Sequence, residues 1–129
     1  MKSMSLAKNI QGKLGEDFAV SYLKRQNFRI LVRNFRIRGG EIDIVAIDPS
    51  TGLGPPALVF VEVKTRTSNE FGTPLEAIGY YKMRSLIKTA HFFKAKHHNL
   101  PELMRIDGVA VLLGKNNELL EIKLVKNIS

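Results

Sequence analysis

Hydrophobic residues recur every four positions early in the chain, at Leu6, Ile10, Leu14 and Phe18, and Ala19, Tyr22 and Leu23 widen the stripe. That period predicts a helix from about Ser5 to Gln26, ending near Asn27. The period then shortens to two. Phe28 to Arg36 (FRILVRNFR) is β-branched and aromatic with polar interruptions, and Gly39-Gly40 follows as a hairpin turn signal. Glu41 to Asp48 (EIDIVAID) alternates strictly, with Ile42, Ile44 and Ala46 on one side and Glu41, Asp43, Val45 and Ile47 on the other. The two segments are expected to form an antiparallel hairpin.

Pro49 to Pro56 (PSTGLGPP) is dense in Gly and Pro and reads as a loop. Ala57 to Arg66 (ALVFVEVKTR) begins as an uninterrupted apolar run, the pattern of a strand covered on both faces, and becomes charged only near its end. Thr73 is positioned as an N-cap with Pro74 at the first helical residue. From there a stripe of Leu75, Ile78, Leu86, Ala90 and Phe93 predicts a long helix fading near His97. Arg105 to Leu113 and Leu119 to Val125 are two further strands, joined by a turn at Gly114-Lys115-Asn116-Asn117. The order is αβββαββ. A helix between two groups of strands implies an α/β sandwich, a mixed β-sheet flanked by two helices. At 129 residues without internal repeats, the chain is expected to form one domain over 1–129.

Composition narrows the function classes. The chain has no Cys, so thiolate zinc sites, disulfides and Cys nucleophiles are excluded, and any metal must take oxygen or imidazole ligands. No stretch approaches the roughly 18 apolar residues of a membrane span, and the amino terminus lacks the apolar core of a signal peptide, so a cytoplasmic location is expected. Twenty Lys and Arg against twelve Asp and Glu give a formal charge of +8. That excess favours a polyanionic partner through counterion release, and nucleic acid is the expected one.

Charges inside apolar strands carry the candidate chemistry. In Glu41-Ile42-Asp43 and Glu62-Val63-Lys64 the charged residues are two apart, so each pair is expected on one face of its strand, about 7 Å between members. Leu58, Val59, Phe60 and Val61 lead into Glu62, where a lone carboxylate is costly without a cation. Oxygen ligands from Asp43 and Glu62, with the backbone carbonyl of Val63, suit Mg²⁺ or Mn²⁺. Such an ion offsets charge developing on a phosphate and acidifies a bound water, which Lys64 would hold or help deprotonate. The chemistry that fits is phosphodiester hydrolysis. The plainer alternative is that these residues are solvated strand-edge charges in cross-strand salt bridges.

Taken together, GKLGEDFA in the first helix, GEIDIV, a Gly-rich loop and VFVEVKTR resemble the YraN family of uncharacterised bacterial proteins, from about Gly12 to Val125. That family is similar to the PD-(D/E)xK, or restriction-endonuclease-like, nuclease superfamily, and to archaeal Holliday-junction resolvases in particular. The resemblance implies a restriction-endonuclease-like sandwich, with Asp43 as metal-binding aspartate, Glu62 as second acidic ligand and Lys64 as catalytic lysine. It also implies that Glu16 completes the metal site. Ile42, not proline, precedes Asp43.

By periodicity, Glu16 shares an arc with Ala19, Val20 and Leu23 and so faces the sheet, or else is an exposed acid near Lys13. Lys82 falls on the apolar stripe of the second helix, where its ammonium either reaches the edge or grips a phosphate. Arg36, Arg38 and Arg66 flank the acids and are expected to hold a nucleic-acid backbone; Phe35 and Tyr80 or Tyr81 are weaker candidates for stacking on unpaired bases. His91, His97 and His98 lack ligand spacing, and Asp107 is expected to be structural. The expected function is a Mg²⁺- or Mn²⁺-dependent nuclease on DNA in preference to RNA, acting on branched or single-stranded repair or recombination intermediates. A non-catalytic nucleic-acid-binding module and a protein-interaction subunit are the alternatives. A resolvase-like enzyme with two active sites would be a homodimer.

Overall fold

The structure, a computed structural model, describes residues 2–49, 54–68 and 78–129. Its elements are α1 (Lys2–Arg25), β1 (Arg29–Ile37), β2 (Gly40–Asp48), β3 (Ala57–Thr67), α2 (Tyr80–Lys96), β4 (Leu103–Leu113) and β5 (Leu119–Val125), in the expected order αβββαββ. One five-stranded sheet runs β1-β2-β3-β4-β5. Among the described residues only β3 and β4 pair in parallel, from Ala57↔Leu103 to Thr67↔Leu113, so the sheet is mixed as expected. Parallel neighbours need a crossover, and α2 lies within it.

The two helices cover opposite faces. Ala19, Val20 and Leu23 of α1 pack with Ile44, Ala46, Val59, Val61, Val109 and Val111. Leu86, Ala90 and Phe93 of α2 pack with Ile42, Val45, Leu58, Phe60 and Ile106. Alternate residues of β3 thus enter different cores, which explains why its first half is apolar on both sides.

The end of α1 is set locally. Asn27 takes a left-handed backbone (φ 70°), and its N–H donates to Lys24 O while that of Phe28 donates to Leu23 O. This is the Schellman arrangement, closed by buried Phe28 packing in the same core as Leu23.

The start of α2 differs from expectation. The helix begins at Tyr80, and Gly79 precedes it in an extended conformation with no side-chain cap (φ −89°, ψ −178°). Ile78 therefore packs against the α2 core from outside the helix. Glycine is a poor helix former and ends the periodic pattern there. The expectations for Thr73, Pro74 and Leu75, for the side chain of Leu6, and for the centre of the Pro49–Pro56 loop lie outside the described residues.

Strict alternation in β2 is also overturned. Ile44 and Ala46 face α1 and Val45 faces α2, but Ile42 joins Val45 on the α2 side instead of following Ile44. The break lies at Asp43. Across the ladder, Asn34 sits opposite it, between the pairs Arg33↔Ile44 and Phe35↔Ile42, with φ 55°. Asparagine tolerates this left-handed backbone, and the kink turns Arg33 and Asn34 together toward α1 while Phe35 turns to α2.

Candidate functional site

The site forms where β2 and β3 part. Their ladder ends at Ile44↔Val61, and beyond it the Val63 N–H donates to Asp43 Oδ2 at 2.8 Å. A side chain thus replaces the next rung. A residue in an extended strand directs its N–H and C=O to the same side, so the Val63 carbonyl also faces the gap beside Asp43.

On the α1 side, Glu16 is held by two donors from the kinked strand. Arg33 Nε and Asn34 Nδ2 both donate to its Oε1, at 3.0 and 3.1 Å, and its side chain is only 13% exposed. Arg33 also grips Asp17 at 2.6 Å, which holds the Asp17 carboxyl below its ordinary value. Glu16 therefore faces the sheet, the first of the two orientations expected. An open cavity of about 710 Å³ is lined by Glu16, Asp43, Glu41, Val63, Thr65 and Arg36, among others. Gly15 brings α1 this close: a Cβ there would overlap Thr65 Oγ1 and lie 2.9 Å from Thr65 Cβ. Gly15→Ala is accordingly expected to lower unfolding free energy by about 1–3 kcal/mol through overpacking. In chemical denaturation, Gly15→Ala/Thr65→Ala should recover part of that loss; a neutral single variant would show that the helix does not seat here.

Glu62 lies on the α2 side, its side chain 5% exposed. Its Oε1 is 3.7 Å from Lys64 Nζ and 3.6 Å from Lys82 Nζ, while Oε2 is buried with no hydrogen-bond partner among the described residues. Burial first, and then the negative charge of Asp43, push the Glu62 carboxyl up from 4.5 to about 7 against the pull of the two lysines. Burial likewise raises Asp43, opposed by the Val63 N–H and reinforced by Glu16 and Glu41.

Glu62 and Lys64 share a face of β3, as the two-residue spacing suggested, whereas Asp43 and Glu62, on neighbouring strands, open to different sides. Asp43 opens toward α1 and Glu62 toward α2, and they meet electrostatically at the gap in the sheet. The cause is the kink at Asn34 and Asp43, which no alternation pattern encodes. Among the described residues, no three Asp, Glu or His side chains converge as a ready metal cage. The donor set nonetheless suits a hard divalent cation: an orphaned buried carboxylate oxygen, a second raised carboxylate, and a carbonyl facing the same gap.

The other candidates separate cleanly. Lys82 is on the site through Glu62. Arg36 lines the α1-side cavity, mostly exposed and 3.4 Å from Glu41; Arg38 is exposed and Arg66 half-buried. Phe35 is not a stacking residue, because it packs edge-on against Phe93 at 5.0 Å within the α2 core. Tyr80 and Tyr81 are exposed. His97 stacks on Phe93. Asp107, fully buried, pairs with Arg105 through both oxygens and accepts the Asn127 N–H, a structural role as expected.

Arg33 and Asn34 were missed by sequence reasoning. An Arg-Asn pair inside an apolar strand is ordinary surface by pattern, and only the tolerance of Asn for a left-handed backbone hinted at a kink.

The model of the uncharacterised protein family UPF0102 matches residues 15–111, a span holding Glu16, Asp43, Glu62, Lys64 and Lys82. Similar relatives include UPF0102 proteins of Geobacter metallireducens (46% identical over 108 residues, 84% of each chain) and Caldicellulosiruptor saccharolyticus (43% over 116 residues, 90% of this chain and 93% of the relative). Another, from Persephonella marina, is 43% identical over 114 residues, 88% of this chain and 90% of the relative.

Proposed function

The chain belongs to the UPF0102 (YraN) family, whose name specifies no reaction, and from its site we propose a metal-dependent nuclease that hydrolyses phosphodiester bonds in DNA. The single observation that carries this reading is Glu62 Oε2, buried without a hydrogen-bond partner among the described residues, on a carboxylate that feels the charge of Asp43 where Asp43 is anchored to Val63. An unsatisfied buried carboxylate oxygen is costly, and a cation is the natural remedy. The order αβββαββ around a mixed sheet supports the restriction-endonuclease-like class that the motifs resemble.

Asp43, Glu62 and the Val63 carbonyl would hold Mg²⁺ or Mn²⁺, with Glu16 close to Asp43 across the cavity. When bound, the ion neutralises charge developing on the phosphate and acidifies a water. Lys64, on the same face of β3 as Glu62, would orient the attacking water and help pass its proton to solvent. Lys82 balances the charge of Glu62 and, with Arg36, Arg38 and Arg66, draws the phosphate backbone toward the gap.

The test is cleavage of linear, single-stranded, flapped and four-way DNA with Mg²⁺ or Mn²⁺. Lys64→Ala is expected to reduce turnover about 10²–10⁴-fold, the span of lost acid–base catalysis, while calorimetry still detects metal. Asp43→Ala should lose both. Equal cleavage by wild type and both variants would mark a contaminant and remove the proposal.

One observation favours a second reading: Asp43 and Glu62 approach from opposite faces, a placement that a nuclease scaffold retained only for binding would tolerate. Salt-sensitive DNA binding without metal-dependent cleavage would establish it. A symmetric dimer belongs to the resolvase version alone, and sizing measurements test it. Among the described residues, no helix is long and apolar enough to cross a membrane.

A further inference from the structure

Helix α2 carries Lys82, Arg84, Lys88, Lys94 and Lys96 and no acidic residue. Its buried stripe is Leu86, Thr89, Ala90 and Phe93. Opposite lies an exposed stripe at helical spacing, Tyr81, Arg84, Lys88 and His91. At the end nearest Glu62 this stripe begins with an aromatic pair. The Tyr80 and Tyr81 rings meet edge to face at 5.3 Å, and they are 66% and 84% exposed.

The two rings have different duties. Tyr80 is fixed, since Arg84 Nη1 donates to its hydroxyl at 3.0 Å and the guanidinium lies 5.7 Å from its ring centre. Tyr81 rests against Tyr80 and otherwise presents its ring to water. A single exposed aromatic residue needs no explanation. Here one is braced by a second and followed along the helix by cations. The next residue is Lys82, whose ammonium is on Glu62. Rings interleaved with cations are what an unpaired nucleic-acid strand requires: stacking for its bases, positive charge for its phosphates. A blunt duplex hides its base faces and has no use for the ring.

We infer that Tyr81, braced by Tyr80, is a stacking platform for an unpaired nucleotide on the outer face of α2 at its Glu62 end, with Arg84 and Lys88 taking the phosphates that follow along the helix. The inference rests on the nuclease reading only for its polyanionic substrate, and makes that substrate one with a single-stranded segment next to the cut.

The experiment is metal-free binding by the full chain, with EDTA present, to short single-stranded DNA carrying one fluorescent purine analogue and to a blunt duplex of equal length. Wild type should bind the single strand and quench the analogue through ring contact. Tyr81→Ala should weaken single-strand binding about tenfold, within the range of one lost base stack, abolish the quench and change duplex affinity less than twofold. Tyr81→Phe, which keeps the ring, should behave as wild type. Lys88→Ala should weaken both ligands and lower the salt slope by about one. Single-strand binding unchanged in Tyr81→Ala, an equal loss on both ligands, or no quench by wild type would overturn the platform and leave the exposed pair to a protein partner. Because cleavage is not read, absence of nuclease activity would fell the earlier proposal without touching this one. Single-strand binding left intact by Tyr81→Ala would do the reverse.

Discussion

Replacing Glu62 with glutamine is expected to stabilise the metal-free protein while ending its response to divalent cations. A carboxyl raised from 4.5 to about 7 by folding is disfavoured in its charged form. At about 1.4 kcal/mol per pH unit, that corresponds to on the order of 3 kcal/mol above pH 7. Glutamine removes the charge but leaves Lys64 and Lys82 without their anion, so a net gain of about 1–2 kcal/mol is expected. The sign fixes the pH window. The folded state binds the proton more tightly than the unfolded chain, so this group costs nothing below about 4.5, and stability declines as pH rises toward about 7. Wild type and Glu62→Gln should therefore converge in acid and diverge at pH 8. Adding Mg²⁺ or Mn²⁺ should raise the midpoint of wild type and not of the variant. Thermal unfolding with EDTA or metal across pH reads all of this. A variant less stable than wild type throughout, or equally stabilised by metal, would refute the assignment of Glu62 as a ligand.

Asp107→Ala should have a larger effect of opposite sign, and on stability alone. The buried carboxylate accepts Arg105 Nε and Nη2, each at 2.8 Å, and the Asn127 N–H at 2.9 Å. Arg105 also reaches Asp48 at 2.8 Å, so one network ties the end of β2 to β4 and to the segment after β5. The Ile128 N–H donates to Ile106 O beside it. Removing one partner of a buried ion pair leaves the other uncompensated, which costs about 3–5 kcal/mol. Urea denaturation should show the loss, with faster hydrogen exchange at Asn127 and Ile128. A change under about 0.5 kcal/mol, the scale of ordinary surface substitutions, would show that Arg105 is satisfied by Asp48 alone.

The element order could be read from the chain because each segment has an amphipathic period matching its conformation. Failures occur where a tertiary contact overrides that period. Alternation through EIDIVAID is broken at Asp43 by a kink that β2 shares with β1. That kink is fixed by Arg33 and Asn34 reaching α1, far away in sequence. Asp43, Glu62 and Lys64 stood out because charge inside apolar strands is costly. Their faces did not, because a face is a property of the folded backbone. Periodicity left Glu16 between two orientations, and its two donors on β1 decide the matter. Periodicity left Lys82 between the helix edge and a phosphate, and it did not foretell the carboxylate twenty residues earlier that its ammonium meets.

The irregular course of β1 has one more effect. As one of the two edge strands, it would be expected to offer backbone donors and acceptors to any extended peptide in solution. Instead its nine residues contain a register shift between Ile30 and Val32 and a left-handed residue at Asn34, and Arg29, Arg33 and Arg36 stand exposed along it. No straight, uncharged row is left on this edge for another β-segment to copy, so the bend that aims two side chains at Glu16 also guards this side of the sheet against fibrillar self-assembly.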